Sequence, residues 1–410
     1  MKIGINALSA QTGAGISQMQ KLLPELARTD QKNSYIVFYS ARQRAFALVI
    51  PGQFEKVEIA YVPRNPFARV LWEQLIFPVY LAWHKVDVLY SVGNTTCILA
   101  PCKVALLMEN ANPYSRLKLP WSRKEQVRLG LLRSLGWLSA RRATKIRFVS
   151  RNSRDLIVPR LGVDSKKCEV IPHGVANISS PFEGEVRRGL VGMVSITPSH
   201  PPEPPLGQGG KFSGRRGNPY ILTIGANGPH RNTVRLLKAF SILVTRYGYG
   251  GDLMVVGNTG SHTWRGALDA LVHELGLGSK VVFKDEVPHR DVGTYFNHAD
   301  AFVFPSLEET FGIPLLEAMA AGVSIAAADC DLDPAYRGKC FNPFREICGD
   351  AAVYFNPFDP EDMATCIARV LADAPARAQL IVRGKEQVKK YKLEDTAVTL
   401  VQLFTDVYNS

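Results

Sequence analysis

The chain has 410 residues, 46% hydrophobic and 21% charged, with a formal net charge of +12. These values exclude a disordered or fibrous chain and suit two domains of about 200 residues rather than one compact core. The longest apolar run, Leu75–Trp83, is short and interrupted by Pro78, so no transmembrane helix is expected.

The first ten residues, MKIGINALSA, carry Asn6 where a signal peptide would need unbroken apolar sequence, so they predict a first buried strand. Short apolar runs and helical stretches then alternate: Ile3–Asn6, Ser17–Arg28, Tyr35–Tyr39, Val70–Trp83, Val86–Ser91, Val104–Met108, Ile146–Ser150 and Cys168–Ile171. This β/α rhythm predicts a parallel sheet with helices on both faces.

Residues 116–154 hold twelve Lys or Arg against one acid, Glu125, and so carry nearly all of the net charge. Trp121, Leu129, Leu131, Leu132, Leu135, Trp137 and Leu138 lie among them. A basic helical segment with this apolar content suits the surface of an anionic membrane; the alternative is a solvated face whose Leu and Trp turn into the core. Nucleic acid is not expected, because no nucleic-acid motif accompanies the charge.

Residues 179–218 break the rhythm. They are dense in Pro and Gly and predict an extended, partly disordered linker. The rhythm resumes with Tyr220–Ile224, Thr233–Tyr247, Leu253–Val256, Thr263–Leu275, Val281–Phe283, Val292–His298, Ala301–Phe304, Leu315–Ala321, Val323–Ala328 and Ala352–Phe355. An irregular insert, Asp329–Cys348, interrupts it, and a last helix runs over about Leu393–Tyr408. The expected division is a domain over 1–178, the linker 179–218, a second domain 219–392 and a terminal segment 393–410. Seven cysteines (Cys97, Cys102, Cys168, Cys330, Cys340, Cys348 and Cys366) show no metal or redox spacing and predict reduced thiols in a cytosolic protein.

The most informative stretch is Phe302–Ala328, FVFPSLEETFGIPLLEAMAAGVSIAAA. A strand ends at Pro305 and Ser306, and a Phe-Gly turn leads through Pro314 into a helix. Free amides and the helix dipole there form an anion site. Glu309 and Glu317 flank it, which favours a ligand carrying hydroxyl donors as well as negative charge. An ordinary βαβ crossover would explain the Pro and Gly but not both carboxylates. Upstream, Gly225–Asn232, GANGPHRN, joins a strand to a helix. Its glycines allow close backbone approach and Arg231 supplies a fixed cation.

The pattern Glu309-TFGIPLL-Glu317 resembles the donor-site signature of the retaining glycosyltransferases of the GT-B fold, of the family 4 type that includes bacterial mannosyl- and glucosyltransferases. The resemblance implies two doubly wound, Rossmann-like domains facing across a cleft, with the last helix crossing back onto the first domain. It extends to Pro229-His230-Arg231-Asn232, where the family has Pro-Arg-Lys-Asn, to Gly13-Ala14-Gly15 after the first strand, to His173-Gly174-Val175 at the domain junction and to Gly349-Asp350-Ala351-Ala352. It implies a donor site of Gly13, Gly15, Gly225, Arg231, Phe311, Gly312, Ile313 and Glu317. Glu309 would be the catalytic carboxylate, with His173 and His230 as secondary candidates.

The chain departs from the family at Leu106–Pro113, LLMENANP, where much of the family has His. Glu109 or Asn110 would then take part of that role, or the loop only shapes the acceptor pocket.

The implied activity is transfer of a hexose with retention, in cell-surface polysaccharide or lipopolysaccharide assembly. Mannose from GDP-mannose is the preferred donor, ahead of UDP-glucose-type donors, and the acceptor is a glycan or lipid-linked glycan. No cofactor and no metal are expected, and the protein is placed in the cytoplasm at the inner face of the membrane. The competing readings are a nucleotide-sugar epimerase and a catalytically degenerate GT-B module that binds a glycan or an assembly partner. A phosphorylase lacks any segment suggesting a pyridoxal lysine. A nicotinamide-dependent enzyme is disfavoured because no Gly-x-x-Gly completes Gly13–Gly15.

Overall fold

A computed structural model describes residues 1–8, 14–63, 65–175, 218–225, 228–257, 262–285, 287 and 289–410. The expected linker, apart from Asn218, lies outside the described residues, as does Gly13.

The first sheet has seven strands: β1 Lys2–Asn6, β2 Ser34–Ser40, β3 Glu55–Ile59, β4 Val88–Ser91, β5 Lys103–Met108, β6 Lys145–Phe148 and β7 Cys168–Val170, in the order β3-β2-β1-β4-β5-β6-β7. The second has six: β8 Tyr220–Ile224, β9 Asp252–Val256, β10 Val281–Lys284, β11 Ala301–Phe304, β12 Ile325–Ala328 and β13 Ala352–Phe355, in the order β10-β9-β8-β11-β12-β13. All neighbours within each sheet run parallel. Two doubly wound α/β domains result, as expected. Central strands such as β4, β11 and β12 are buried along their whole length, because helices cover both faces.

In each sheet the winding direction reverses beside the first strand, between β1 and β4 and between β8 and β11. Strand ends splay apart there and leave a crevice at their carboxyl ends. Gly225 follows β8, Glu309 follows β11 and Glu109 follows β5, so the topology alone gathers the motif residues at crevice mouths.

The two domains are knitted together. The helix Leu393–Asn409 lies on the first sheet, where Phe404 packs against Tyr90 with ring centres 5.3 Å apart. Its approach requires Gly174, since a Cβ there would stand 2.4 Å from the Leu393 backbone. The 329–348 insert contains a short helix, Phe344–Cys348, and drives Phe341 into the core of the first domain. Arg160 covers that ring at 5.4 Å. Glu346 accepts the backbone N–H groups of Arg151 (2.8 Å) and Asn152 (3.1 Å), so a carboxylate of one domain caps a helix of the other, Arg151–Leu161.

The expected single helix over Val70–Trp83 is two helices, Pro66–Leu75 and Phe77–Trp83. Pro78 has no N–H to continue the first helix and instead occupies the opening turn of the second. Among the described residues no helix is long and apolar enough to cross a membrane, and all seven cysteines are free thiols.

Candidate functional site

Gly225 leaves β8 with φ +96°, a conformation costly for any side chain, and donates its N–H to Val256 O at 2.8 Å. This turn lets Arg231, on the tight turn Pro229–Arg231, lay its guanidinium over the glycine; a Cβ on Gly225 would stand 3.3 Å from it. Arg231 forms an ion pair with Glu309, and its Nη1 lies 3.5 Å from Ser306 Oγ. Among the described residues its Nε is buried with no hydrogen-bond partner. Burial lowers its pKa to about 10, which leaves it charged at neutral pH.

Asn232, held at φ +60°, anchors the turn by donating from Nδ2 to Pro357 O at 2.7 Å.

His230 supplies no charge here. It is buried, tilted against Trp121 with centroids 5.5 Å apart, and burial followed by the Arg231 charge pushes its pKa down to about 3. Its carbonyl accepts the Leu307 N–H at 2.8 Å, tying this turn to the β11 loop. Trp121 itself was read only as part of the basic segment, and nothing in its local sequence points to His230.

After β11 the chain passes Glu309 and reaches Gly312 at φ +99°, the residue before the helix Ile313–Ala321. Pro314 stands in the first turn of that helix and Ile313 is half-buried. Phe311 is a packing residue, edge-on to His173 (5.3 Å) and Tyr391 (5.8 Å). Glu317, one turn into the helix, receives Lys21 Nζ from the first domain at 3.3 Å. Both motif carboxylates therefore face a cation, Glu309 within its own domain and Glu317 from across the cleft.

Gly15, Glu109 and His173 line one cavity of the first domain, together with Gln18, Tyr90 and Arg147. Arg147 is 1% exposed and donates to Tyr90 Oη (2.8 Å), Ile171 O (2.9 Å) and Pro172 O (3.2 Å). Glu109 Oε2 lies 3.7 Å from His173 Nε2. Burial raises the Glu109 pKa, partly offset by Arg147. Burial, then the Arg147 and Lys21 charges, hold His173 well below the ordinary imidazole range, so this histidine is neutral.

Asn94, at φ +71°, fixes the backbone of this wall. Its Oδ1 accepts the N–H groups of Glu109 (2.8 Å) and Asn110 (2.9 Å), and its Nδ2 donates to Asn110 O at 2.7 Å. Asn110 Oδ1 is committed to the Asn112 N–H at 3.1 Å. Thr310 Oγ1 donates to Glu109 O at 2.6 Å, which brings the β5 and β11 ends together.

Sequence reasoning missed Lys21, Arg147 and Glu308. Glu308 is 2% exposed, accepts from Ser115 Oγ (3.0 Å) and the Phe341 N–H (3.4 Å), and is pushed by burial up to about 8. A lone Arg in a strand pattern and an acid beside a motif acid carry no local signal of such burial.

The arrangement offers two cations, a helix N-terminus and two carboxylates at adjoining strand ends, which suits a ligand that is polyanionic at one place and rich in hydroxyls at another. Residues 211–387 match the family described as glycosyl transferases group 1. The chain carries a glycosyltransferase group 1 domain.

The chain is 25% identical over 306 residues to the O-antigen chain mannosyltransferase RfbU of Salmonella typhimurium, covering 74% of this chain and 73% of the relative. It is 27% identical over 192 residues to O-antigen chain mannosyltransferase B of Escherichia coli, which covers 45% of each. In fold it is similar to the sucrose-phosphate synthase of Thermosynechococcus elongatus, with a TM-score of 0.72 and 16% identity over 100% of this chain and 99% of that one. It is also similar to WaaG, a glycosyltransferase involved in lipopolysaccharide biosynthesis, with a TM-score of 0.66 and 15% identity over 98% and 99% of the two chains. The fold is that of the GT-B glycosyltransferases.

Proposed function

We propose that this glycosyltransferase moves a hexose from a nucleoside-diphosphate sugar to a glycan or lipid-linked glycan acceptor, with retention of configuration, in cell-surface polysaccharide assembly. The observation that carries the reading is the ion pair of Arg231 with Glu309 at adjoining strand ends beside the Gly312 helix N-terminus, with Glu317 a turn further on. Mannose from GDP-mannose is the preferred donor, supported by the names of the mannosyltransferase relatives. A UDP-sugar is the second choice, supported by the structural likeness to Anabaena HepE in complex with UDP and glucose, at a TM-score of 0.70 and 15% identity over 99% of each chain.

In this reading Arg231 and the helix N-terminus hold the diphosphate, and Glu317 exchanges Lys21 for the ribose hydroxyls. Glu309 turns from Arg231 to the transferred sugar. As the glycosidic bond breaks, charge grows on the diphosphate, where a fixed cation and aligned amides stabilise it more than they stabilise the ground state. The acceptor hydroxyl attacks from the leaving-group face and its proton passes to the departing phosphate. Glu109, Asn110 and His173 line the acceptor side, where neutral His173 can offer or accept a hydrogen bond but no charge. No resident metal or cofactor is part of the proposal. The basic segment 116–154 is proposed to hold the protein at the inner face of an anionic membrane.

The test is thermal-shift binding of GDP, UDP and ADP, with and without divalent cation, followed by turnover of the matching sugar nucleotide and the anomeric configuration of the product by NMR. A shift with one nucleotide that is lost in Arg231→Ala, together with a retained anomer, supports the proposal. An inverted anomer overturns retention. Binding without hydrolysis or transfer favours the degenerate binding module, and conversion of the free sugar nucleotide favours the epimerase.

A further inference from the structure

Leu71, Leu75, Val79 and Trp83 follow one another at intervals of four along the two short helices and are 61%, 61%, 59% and 82% exposed. Large apolar side chains this open are unremarkable singly but form a patch when they share a stripe. Ile76 also stands open, while Phe77 and Leu81 turn inward to the core. The helices are thus built with two apolar faces, and only one of them is used by the fold.

The stripe borders the basic helix Arg123–Arg142 through the 96–102 loop. Gln74 donates to Thr96 O (3.2 Å) and accepts from the Ile98 N–H (2.7 Å) on one side. On the other side Arg142 donates to Ile98 O (3.1 Å), Ala100 O (2.8 Å) and Cys102 O (2.8 Å). Leu99, at the tip of this loop, is exposed between them. On the basic helix Leu138 and Trp137 are exposed too, with Arg141 stacked over the Trp137 ring at 4.0 Å. Arg123, Lys124, Arg128 and Arg133 are exposed along the same helix, and its one acid, Glu125, is taken up by Arg128.

We infer that the ridge Leu71–Leu75–Val79–Trp83 is a membrane-insertion edge, which enters the interfacial zone of an anionic bilayer while the basic helix beside it rests on the lipid headgroups. The inference rests on the proposed docking of the basic segment and adds the apolar element that charge alone does not supply. Electrostatic attraction holds a protein above the headgroups and is screened by salt; buried Leu and Trp side chains make attachment persist as salt rises. A second copy of this chain is a poor occupant, because a two-fold contact through the ridge would bring two strongly basic helices together.

The position also bears on substrate. The ridge is joined by Gln74 to Thr96, which donates or accepts a 2.6 Å hydrogen bond with Ser91 Oγ at the end of β4, and Asn94 in the same loop holds Glu109 and Asn110. An acceptor carried by a lipid would therefore be presented one loop away from the proposed acceptor wall.

The experiment is flotation of the full chain with vesicles of phosphatidylglycerol and phosphatidylcholine, and with phosphatidylcholine alone, at low and high salt. Wild type is compared with Leu75→Asp/Trp83→Asp and with Arg133→Glu/Arg141→Glu. All four positions are exposed, and a retained nucleotide-induced thermal shift would report an intact donor site. The expected result is binding to the anionic vesicles that falls roughly tenfold or more in the ridge variant, in keeping with the loss of two buried apolar side chains. Trp emission should shift to the blue on binding, and Trp83→Phe should remove most of that shift.

Equal binding of wild type and the ridge variant, with loss only in the Arg variant, would overturn the insertion edge and leave charge-driven docking standing. Absence of wild-type binding to anionic vesicles would overturn both. Conversion of a dimer to a monomer in the ridge variant, with vesicle binding unchanged, would make the ridge a subunit interface and overturn the inference.

Discussion

Arg231 and Glu309, the cation and the acid proposed to act at opposite ends of the same glycosidic bond, are paired with each other, while among the described residues the Arg231 Nε is buried with no hydrogen-bond partner. The pair keeps both side chains in place and keeps each from acting on a ligand. On the proposed function, a diphosphate arriving at Arg231 must therefore compete with Glu309. Glu309→Gln should bind nucleoside diphosphate as tightly as wild type or several-fold tighter, and lower kcat by about a hundredfold or more. Calorimetric titration with the nucleotide and single-turnover kinetics read the two effects separately. An affinity that falls in step with kcat would show that Glu309 does not compete for Arg231.

Glu317 sits a turn into its helix and is held by Lys21 at 3.3 Å from the other domain. On the proposed function Glu317 contacts a part of the donor that does not react, so Glu317→Ala should raise the nucleotide Kd by about ten- to a hundredfold and leave kcat at saturating donor within a few-fold. A kcat loss as large as that of Glu309→Gln would contradict this division of labour.

Glu308 accepts from Ser115 of the first domain and from the Phe341 N–H, and burial lifts its pKa to about 8. A carboxyl raised in the folded state contributes fully below its unfolded pKa, and that contribution is lost as pH climbs towards the folded value. Wild type should therefore lose stability between about pH 4.5 and pH 8, by on the order of 5 kcal/mol from this group. Glu308→Gln keeps an acceptor without the titration. Melting curves from pH 5 to about 8.5 should show a flatter profile for the variant, and parallel profiles would count against the assignment.

Phe341 belongs in sequence to the second domain and in space to the core of the first. Phe341→Ala should cost about 3–5 kcal/mol by leaving a cavity and weaken the coupling of the domains. Differential scanning calorimetry should then separate one unfolding transition into two. A single transition at an unchanged midpoint would show that the insert is not what joins them.

The β/α rhythm was readable because buried parallel strands are short apolar runs and their covering helices are amphipathic. β3, with the sequence Glu55–Ile59 and charges at three of its five positions, offers no apolar run to read. It lies at the edge of the sheet, where one side of the strand meets no neighbour and polar residues are tolerated. The helices Pro360–Ala372 and Ala374–Val388 carry no motif, and Asp359 and Asp373, which cap them through their side chains, are local start signals. At the site, Gly225, Arg231, Glu309, Gly312 and Glu317 carried a spacing that marked them. His230 was placed at a cationic position, and burial against Trp121 makes it neutral.

The two parallel α/β units, and the strand-to-helix turns on which the motif residues ride, are legible in the order of the residues alone. Hydrophobic period, turn glycines and N-terminal prolines act within a few residues of one another, so local order contains them. Which charges meet is set by contacts between residues far apart in the chain. Lys21 reaches Glu317 across 296 positions, Ser115 reaches Glu308 across 193, and Thr310 reaches the Glu109 carbonyl across 201. Such pairings depend on how one sheet is set against the other. Burial in that cleft, rather than residue type, then sets which groups hold a proton.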